Sequence, residues 1–263
     1  MKKIILVICS LLLVGSLVAC ASGTSVSSKD KITLGTSADY PPFEFIVLDE
    51  SNAQKYVGID ISVAEAIAAD MNKELSVMNM DFDTLIAALQ KGDIDIVIAA
   101  MEETPERLEG ADFSDAYYTD YPAMILVKAD KAGEYTSLDS FAGKSVGAQT
   151  GTTKADIVTN DLSGATRVGL TSVNELVNQL VYDKVDAIVL DGAVALQYAQ
   201  SNEGIVVASV ELGEALPYRV AVQKGDPKGL LGPINETIAK LISDGSIDAF
   251  AEAADALADQ AIE

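Results

Sequence analysis

TLIAALQKGDIDIVIAA, from Thr84 to Ala100, can be laid without a gap over ELVNQLVYDKVDAIVLD, from Glu175 to Asp191. Each stretch reads as a helix, a tight turn, an aspartate beside an apolar strand, and the strand itself. In the first copy Leu85, Ile86, Ala88 and Leu89 form the helical stripe, and Gly92 suits a left-handed helix end. Ile94-Asp95-Ile96-Val97-Ile98 is apolar enough to lie under helices on both faces. Two such units predict two lobes of like α/β design, each a mostly parallel sheet flanked by helices. Ligands collect beyond the carboxyl ends of strands in such sheets. The two copies therefore point to Ala100-Met101-Glu102 in one lobe and Asp191 in the other. An aspartate ending so apolar a strand needs a partner.

Strand-like and helix-like segments alternate from Lys31 onward, beginning with KITLGTS. Ser62-Val63-Ala64-Glu65 has capping-box spacing, with Val63, Ala66, Ile67 and Met71 following at helical intervals. Two chain crossings are expected, one from Thr119 to Met124 and one near Leu216-Pro217-Tyr218. Tyr117 and Tyr118 read as packing at the first crossing. The helical C-terminal segment, broken at Gly245, is expected to return to the first lobe. That lobe would comprise residues 31–119 with 218–263, and the second lobe residues 120–217.

The N-terminus is read separately. Lys2 and Lys3 precede an apolar run from Ile4 to Ala19, too short for a comfortable membrane span and suited to a secretory signal. Leu17-Val18-Ala19-Cys20 resembles the bacterial lipobox. The expectation is a signal peptide over residues 1–19, fatty acylation (palmitate) of Cys20, and a polar tether over residues 20–30. The folded part would then lie outside the cytoplasm, anchored to the cell membrane by lipid. An uncleaved signal anchor or an unmodified secreted protein is the alternative. Cys9 would leave with the signal, so no disulfide could form and the core alone would hold the fold.

The formal charge is −22 over 263 residues, and without Lys2 and Lys3 16 basic side chains face 40 acidic ones. Such a balance disfavours nucleic acid, which needs a basic face. Histidine is absent. That removes Ser-His-Asp and Cys-His catalysis, His-ligated zinc and the usual general base. Carboxylate-based catalysis stays open.

Four stretches fall in order: GTSADYPPFEF (Gly35–Phe45), GIDISVAEAIA from Gly58, the segment from Phe82 to Tyr118 that contains AAMEETPERLEG, and VGAQTGTTK (Val146–Lys154). With the strand ending at Asp191, they closely resemble the polar amino-acid-binding proteins of bacterial ABC importers, solute-binding family 3. The resemblance runs from about Ile32 to about Phe250. It implies a periplasmic-binding-protein type II clamp that closes on one free amino acid and delivers it to a permease–ATPase complex, without catalysis, cofactor or metal and as a monomer. It implies that Arg107 grips the ligand α-carboxylate, a role its planar fork suits. Gly151-Thr152-Thr153 would open a helix whose N–H groups favour the same carboxylate, with Gln149 just before it. Asp191 would receive the α-ammonium, and Tyr40 and Phe82 would flank the side chain.

Plainer readings stand beside these. Arg107 could pair with Glu103 or Glu106, Thr152 and Thr153 could cap a helix, Asp191 could cap GAVALQYA, and Tyr40 or Phe82 could be core aromatics. Two positions depart from the family pattern. Glu102 replaces the usual Ser or Thr, and Ser37 stands where some binders of cationic amino acids carry aspartate. A carboxylate at 102 would repel the ligand carboxylate unless it faced Arg107, the ammonium or a cationic side chain, or turned outward. With Asp39 also near the cleft, Glu102 favours a basic or strongly polar ligand, while the serine at 37 argues against a basic one. Rival readings are a dehydratase on the same scaffold, with a buried Glu102 of raised pKa as general acid, and a ligand sensor docking on a separate receptor.

Overall fold

The structure is a computed structural model and describes residues 30–262. The expected signal peptide, Cys20 and nearly all of the tether lie outside the described residues.

The first half of the chain runs β1 (Lys31–Thr36), β2 (Phe45–Leu48), β3 (Gln54–Val57), α1 (Ile59–Asp70), β4 (Glu74–Asn79), α2 (Leu85–Lys91), β5 (Ile96–Val97) and β6 (Ala111–Thr119). It crosses into β7 (Met124–Lys128), β8 (Ser145–Gln149), α3 (Thr153–Asn160), β9 (Thr166–Leu170), α4 (Val173–Val181), β10 (Ala187–Leu190), α5 (Gly192–Ser201) and β11 (Ile205–Val207). It returns through β12 (Pro217–Gln223) to α6 (Leu231–Ser243) and α7 (Ser246–Ala258). Two five-stranded sheets result, ordered β4-β1-β5-β12-β6 and β11-β7-β10-β8-β9.

The internal echo explains this symmetry. β5 and β10, the strands of the two matching stretches, are each the central strand of their sheet. Asp95 precedes β5, and its carboxylate accepts the Thr33 N–H at 2.7 Å, pinning the parallel neighbour β1. Asp186 precedes β10 and accepts the Ser145 N–H at 2.8 Å, pinning the parallel neighbour β8. Both central strands are covered on two faces: Ile96 packs with α1 and α6 and Val97 with α2, while Ile188 packs with α4 and α5 and Val189 with α3. Each sheet is mixed, however, because β12 and β6 in one and β7 and β11 in the other join antiparallel. Parallel pairing is confined to the helix-connected half of each sheet.

The two crossings run side by side, with Pro217 registered against Thr119 and Tyr218 against Tyr118. Tyr118 stacks on Tyr218, and both rings meet Phe43 edge-on. α6 and α7 pack on α1, with Gly245 in the left-handed conformation between them.

The first helix corrects an expectation. It starts at Ile59, not at Ser62, whose hydroxyl donates back to the Gly58 carbonyl from inside the helix. No side chain caps it: the Ile59 and Asp60 N–H groups donate to the Pro42 and Phe43 carbonyls of the preceding turn. Gly58 allows this approach, with φ of +124° and a hypothetical Cβ only 2.1 Å from the Phe43 oxygen. Gly58→Ala is therefore expected to cost about 1–3 kcal/mol of stability, read by chemical denaturation; an unchanged midpoint would contradict this account of the helix start.

Candidate functional site

Beyond Val97 the backbone turns at Ala100, whose φ of +44° is held by its N–H donating 2.6 Å to the buried Asp60 carboxylate. Met101 and Glu102 continue toward the second lobe, with the Met101 carbonyl accepting the Arg219 N–H of β12 in their own sheet. Asp191 leaves the end of β10 from the other side. Its backbone begins α5, but its side chain does not cap that helix. Instead the carboxylate accepts the Tyr40 hydroxyl at 2.8 Å and the Lys154 ammonium at 2.7 Å.

Lys154 links the two strand ends. Its ammonium lies 2.7 Å from Asp191 and 2.5 Å from Glu102, with its side chain only 5% exposed. The second Glu102 oxygen takes Arg107 at 3.1 Å, and the Thr153 hydroxyl donates to the first at 2.7 Å. Arg107 also donates to the Glu102 carbonyl at 2.7 Å and across the cleft to the Gly151 carbonyl at 3.0 Å, with its guanidinium over the Phe82 ring. Its partner is therefore Glu102, not Glu103 or Glu106; Glu103 lies near Arg219 instead. Gly151 needs its left-handed φ of +79° and packs closely on Asp83 of the opposite lobe.

Two cations and two carboxylates thus balance within one buried cluster. Burial opposes ionisation of Glu102, but the Lys154 ammonium and the Arg107 guanidinium outweigh it and hold its carboxyl at about 2. Burial alone would likewise lower Lys154, yet Asp191 and Glu102 raise it, so the ammonium stays charged. For Asp191 burial wins, and its carboxyl is raised even with Lys154 alongside. The depressed Glu102 is the opposite of what the dehydratase reading requires, because a general acid must hold its proton near neutral pH.

A cavity of about 10 Å³ remains among these groups, room for a single water at most. Ser37, Tyr40, Phe82, Ala100, Glu102, Gln149, Thr152 and Asp191 line it, joined by Lys154 and Glu44. Thr152 is the N-cap of α3, accepting the Ala155 N–H, and its hydroxyl donates to the Gln149 carbonyl. The Gln149 amide is committed to the Thr171 carbonyl. Met101 is buried and does not line this cavity. Asp39 is not among the residues lining the cavity: its carboxylate accepts the Val173 N–H at 2.7 Å, at the start of α4, and so links the lobes elsewhere.

Three residues not singled out in the sequence complete the site. Lys154 carried a legible signal, because a lysine in the first turn of a helix opposes the helix dipole and needs anionic partners. Glu44 and Asp60 form a carboxyl pair under the cleft, both fully enclosed. Burial raises Asp60 to about 6, and burial together with the neighbouring Asp60 charge raises Glu44 well above the usual range. Asp60 accepts the Tyr117 hydroxyl at 2.7 Å. The Glu44 Oε2 atom is buried without a partner. Among the described residues no group of His, Cys, Asp and Glu is arranged to hold a metal ion.

Fold and site together define a two-lobed α/β binding clamp with polar and charged side chains meeting at the strand ends. Residues 32–253 match the bacterial extracellular solute-binding proteins, family 3, and the chain belongs to that family. It is 34% identical to the arginine-binding extracellular protein ArtP of Bacillus subtilis over 83% of this chain and 87% of that one. Against the ABC transporter arginine-binding protein 1 of Escherichia coli the identity is 29%, over 84% and 88%. Among solved structures, an amino acid ABC transporter substrate-binding protein from Streptococcus pneumoniae bound to L-arginine superposes with a TM-score of 0.81 at 34% identity, covering 86% of this chain and 94% of its own. An ancestral arginine-binding protein superposes at 0.76 with 37% identity, over 86% and 98% in its arginine-bound structure and 86% and 97% in its glutamine-bound one.

The buried groups set a pH dependence with two limbs. Asp60 and Asp120, raised to about 6 chiefly by burial, bind protons more tightly folded than unfolded, so stability rises as pH falls from about 6 toward 3.8. Glu102, held at about 2, contributes stability that is complete above 4.5 and lost as pH falls from 4.5 to about 2. The melting temperature is expected to be higher at pH 5 than at pH 7. Below pH 4.5 it should fall more steeply in wild type than in Glu102→Gln; identical acid limbs would contradict the Glu102 assignment.

Proposed function

We propose that the chain is the extracytoplasmic substrate-binding component of an ABC importer, a non-enzymatic clamp that captures a free amino acid between residues 31–119 with 218–263 and residues 120–217. The observation that carries this reading is the pairing of carboxylate donors with an ammonium acceptor across one cleft. Arg107 and Thr153 now hold a carboxylate, and Asp191 now holds an ammonium. An α-amino acid presents those two groups on one carbon. The relatives whose names specify arginine, and the arginine-bound neighbours, support the same class.

A basic side chain is favoured. The Glu44–Asp60 pair lies next to the clamp, and the unpartnered Glu44 oxygen is an acceptor that a guanidinium or ammonium would satisfy. Ser37 does not oppose this, because the acidic function is supplied from residues 44 and 60. The clamp is taken to work as a monomer beside a membrane permease–ATPase, held to the membrane through lipidated Cys20. A role as sensor for a separate receptor is distinguished by whether a permease is encoded alongside.

A thermal-shift screen and calorimetry against the common amino acids test the assignment. A basic amino acid should raise the melting temperature, since ligand at 100 times its dissociation constant adds about 2.7 kcal/mol. Arg107→Ala should weaken that binding on the order of 100-fold. No shift with any amino acid would overturn the reading. Cys20→Ser should abolish palmitate labelling and release the protein from membranes; retained labelling would refute the anchor.

A further inference from the structure

Glu102 and Lys154 occupy the clamp in the same way a ligand would. The Glu102 carboxylate stands on Arg107 and Thr153, and the Lys154 ammonium stands on Asp191. The two charged groups touch each other at 2.5 Å, so together they form a carboxylate and an ammonium side by side, the polar outline of an amino-acid main chain. They come from opposite lobes, Glu102 from beyond β5 and Lys154 from the first turn of α3. We propose that this pair is a tethered stand-in for the ligand main chain, which closes the clamp on itself and sets the affinity and effective selectivity of the site. The proposal rests on the amino-acid reading above.

The physical consequences follow from charge and tethering. A buried cluster with two positive and two negative groups is tolerated because each charge has partners; removing one leaves others uncompensated. With the pair in place, the closed form needs no external charge. An entering amino acid must release Glu102 from Arg107 and Lys154 from Asp191, and its own main chain only replaces groups of the same charge. The competing groups are intramolecular, at an effective concentration in the millimolar range or above. The apparent dissociation constant rises by the inverse of the fraction of molecules whose clamp is free. That factor applies to every amino acid alike. Ligands that hold on by the main chain alone therefore drop out of the useful range, and only those with a strong side-chain contact bind.

The test uses small-angle scattering of the amino-acid-free protein and calorimetry with the basic amino acids, on wild type, Lys154→Gln and Glu102→Thr. Wild type should be compact before ligand is added. Lys154→Gln should have a larger radius of gyration, contract on binding, and bind about 10-fold or more tightly than wild type. Glu102→Thr, which frees Arg107 while keeping a hydroxyl, should shift both readouts the same way and stands in if Lys154→Gln does not fold. An extended wild type that contracts only with ligand would overturn the proposal. So would variants that remain compact without ligand or that bind no more tightly than wild type. If no protein in the series binds any amino acid, the amino-acid reading fails, and the scattering alone decides whether Glu102 and Lys154 hold the clamp shut.

Discussion

The Glu102 carboxylate, wedged between the Lys154 ammonium and the Arg107 guanidinium, is the contact on which the arrangement of the cleft depends. Each of its partners reaches a second group: Lys154 reaches Asp191, and Arg107 reaches the Gly151 carbonyl. Residues from both sheets are thereby tied through one side chain. Desolvating four charges is costly, and their mutual attraction offsets that cost only while all four are present and hydrogen-bonded. The cluster is consequently cooperative, and a change at one member is felt at the others. Tyr40 extends it, since its hydroxyl donates to the Asp191 carboxylate and accepts the Asp191 N–H.

The cluster forms where it does because of the repeated helix-turn-strand unit. An aspartate beside each central strand fixes the start of its parallel neighbour, through Thr33 in one sheet and Ser145 in the other. With starts aligned, the ends of β5 and β10 are aligned too, and each runs out at the cleft. The antiparallel strands β6 and β12 pair with each other in the first sheet, so the two crossings that leave their ends at Thr119 and Pro217 start side by side. Within the first crossing, residues 120–123, Asp120 accepts the Tyr121 and Ala193 N–H groups.

Most of the fold was legible because its signals are local. The stripe Leu85, Ile86, Ala88, Leu89, the stop at Gly92 and the apolar strand after it are each decided within a few residues. The start of α1 was misread at Ser62 because its true cap is the backbone of Pro42 and Phe43, a long-range contact that no spacing encodes. The site divides in the same way. Asp191 was singled out by its place at the end of an apolar strand, while Arg107 and Thr153 were named through the family resemblance; the structure brings all three to one cluster. Asp39 was read as lying near the cleft, yet its side chain serves the start of α4. Lys154 escaped because its role exists only when the lobes meet, although its place in the first turn of a helix was an electrostatic anomaly. Glu102, in contrast, announced itself as a departure from the family pattern, and the condition for tolerating it, a facing cation, is met twice.

Charge balance then decides where selectivity can reside. The cluster of Arg107, Lys154, Glu102 and Asp191 is formally neutral, and an amino-acid main chain that exchanges with the Glu102–Lys154 pair is neutral as well. Neither state of the clamp discriminates one amino acid from another by charge. The Glu44–Asp60 pair is different, because burial raises both carboxyls and the Glu44 Oε2 atom has no hydrogen-bond partner. A cationic side chain reaching it would favour ionisation of both carboxyls, reversing part of the upward shift that burial imposes. The surrounding protein adds to this preference at long range, since a formal charge of −22 attracts cationic solutes and repels anionic ones before any contact forms. On the proposed reading recognition is separated physically: the neutral quartet would hold the clamp shut and set how strong a side-chain contact a ligand needs, and the buried carboxyl pair beneath it would supply that contact to a cationic side chain.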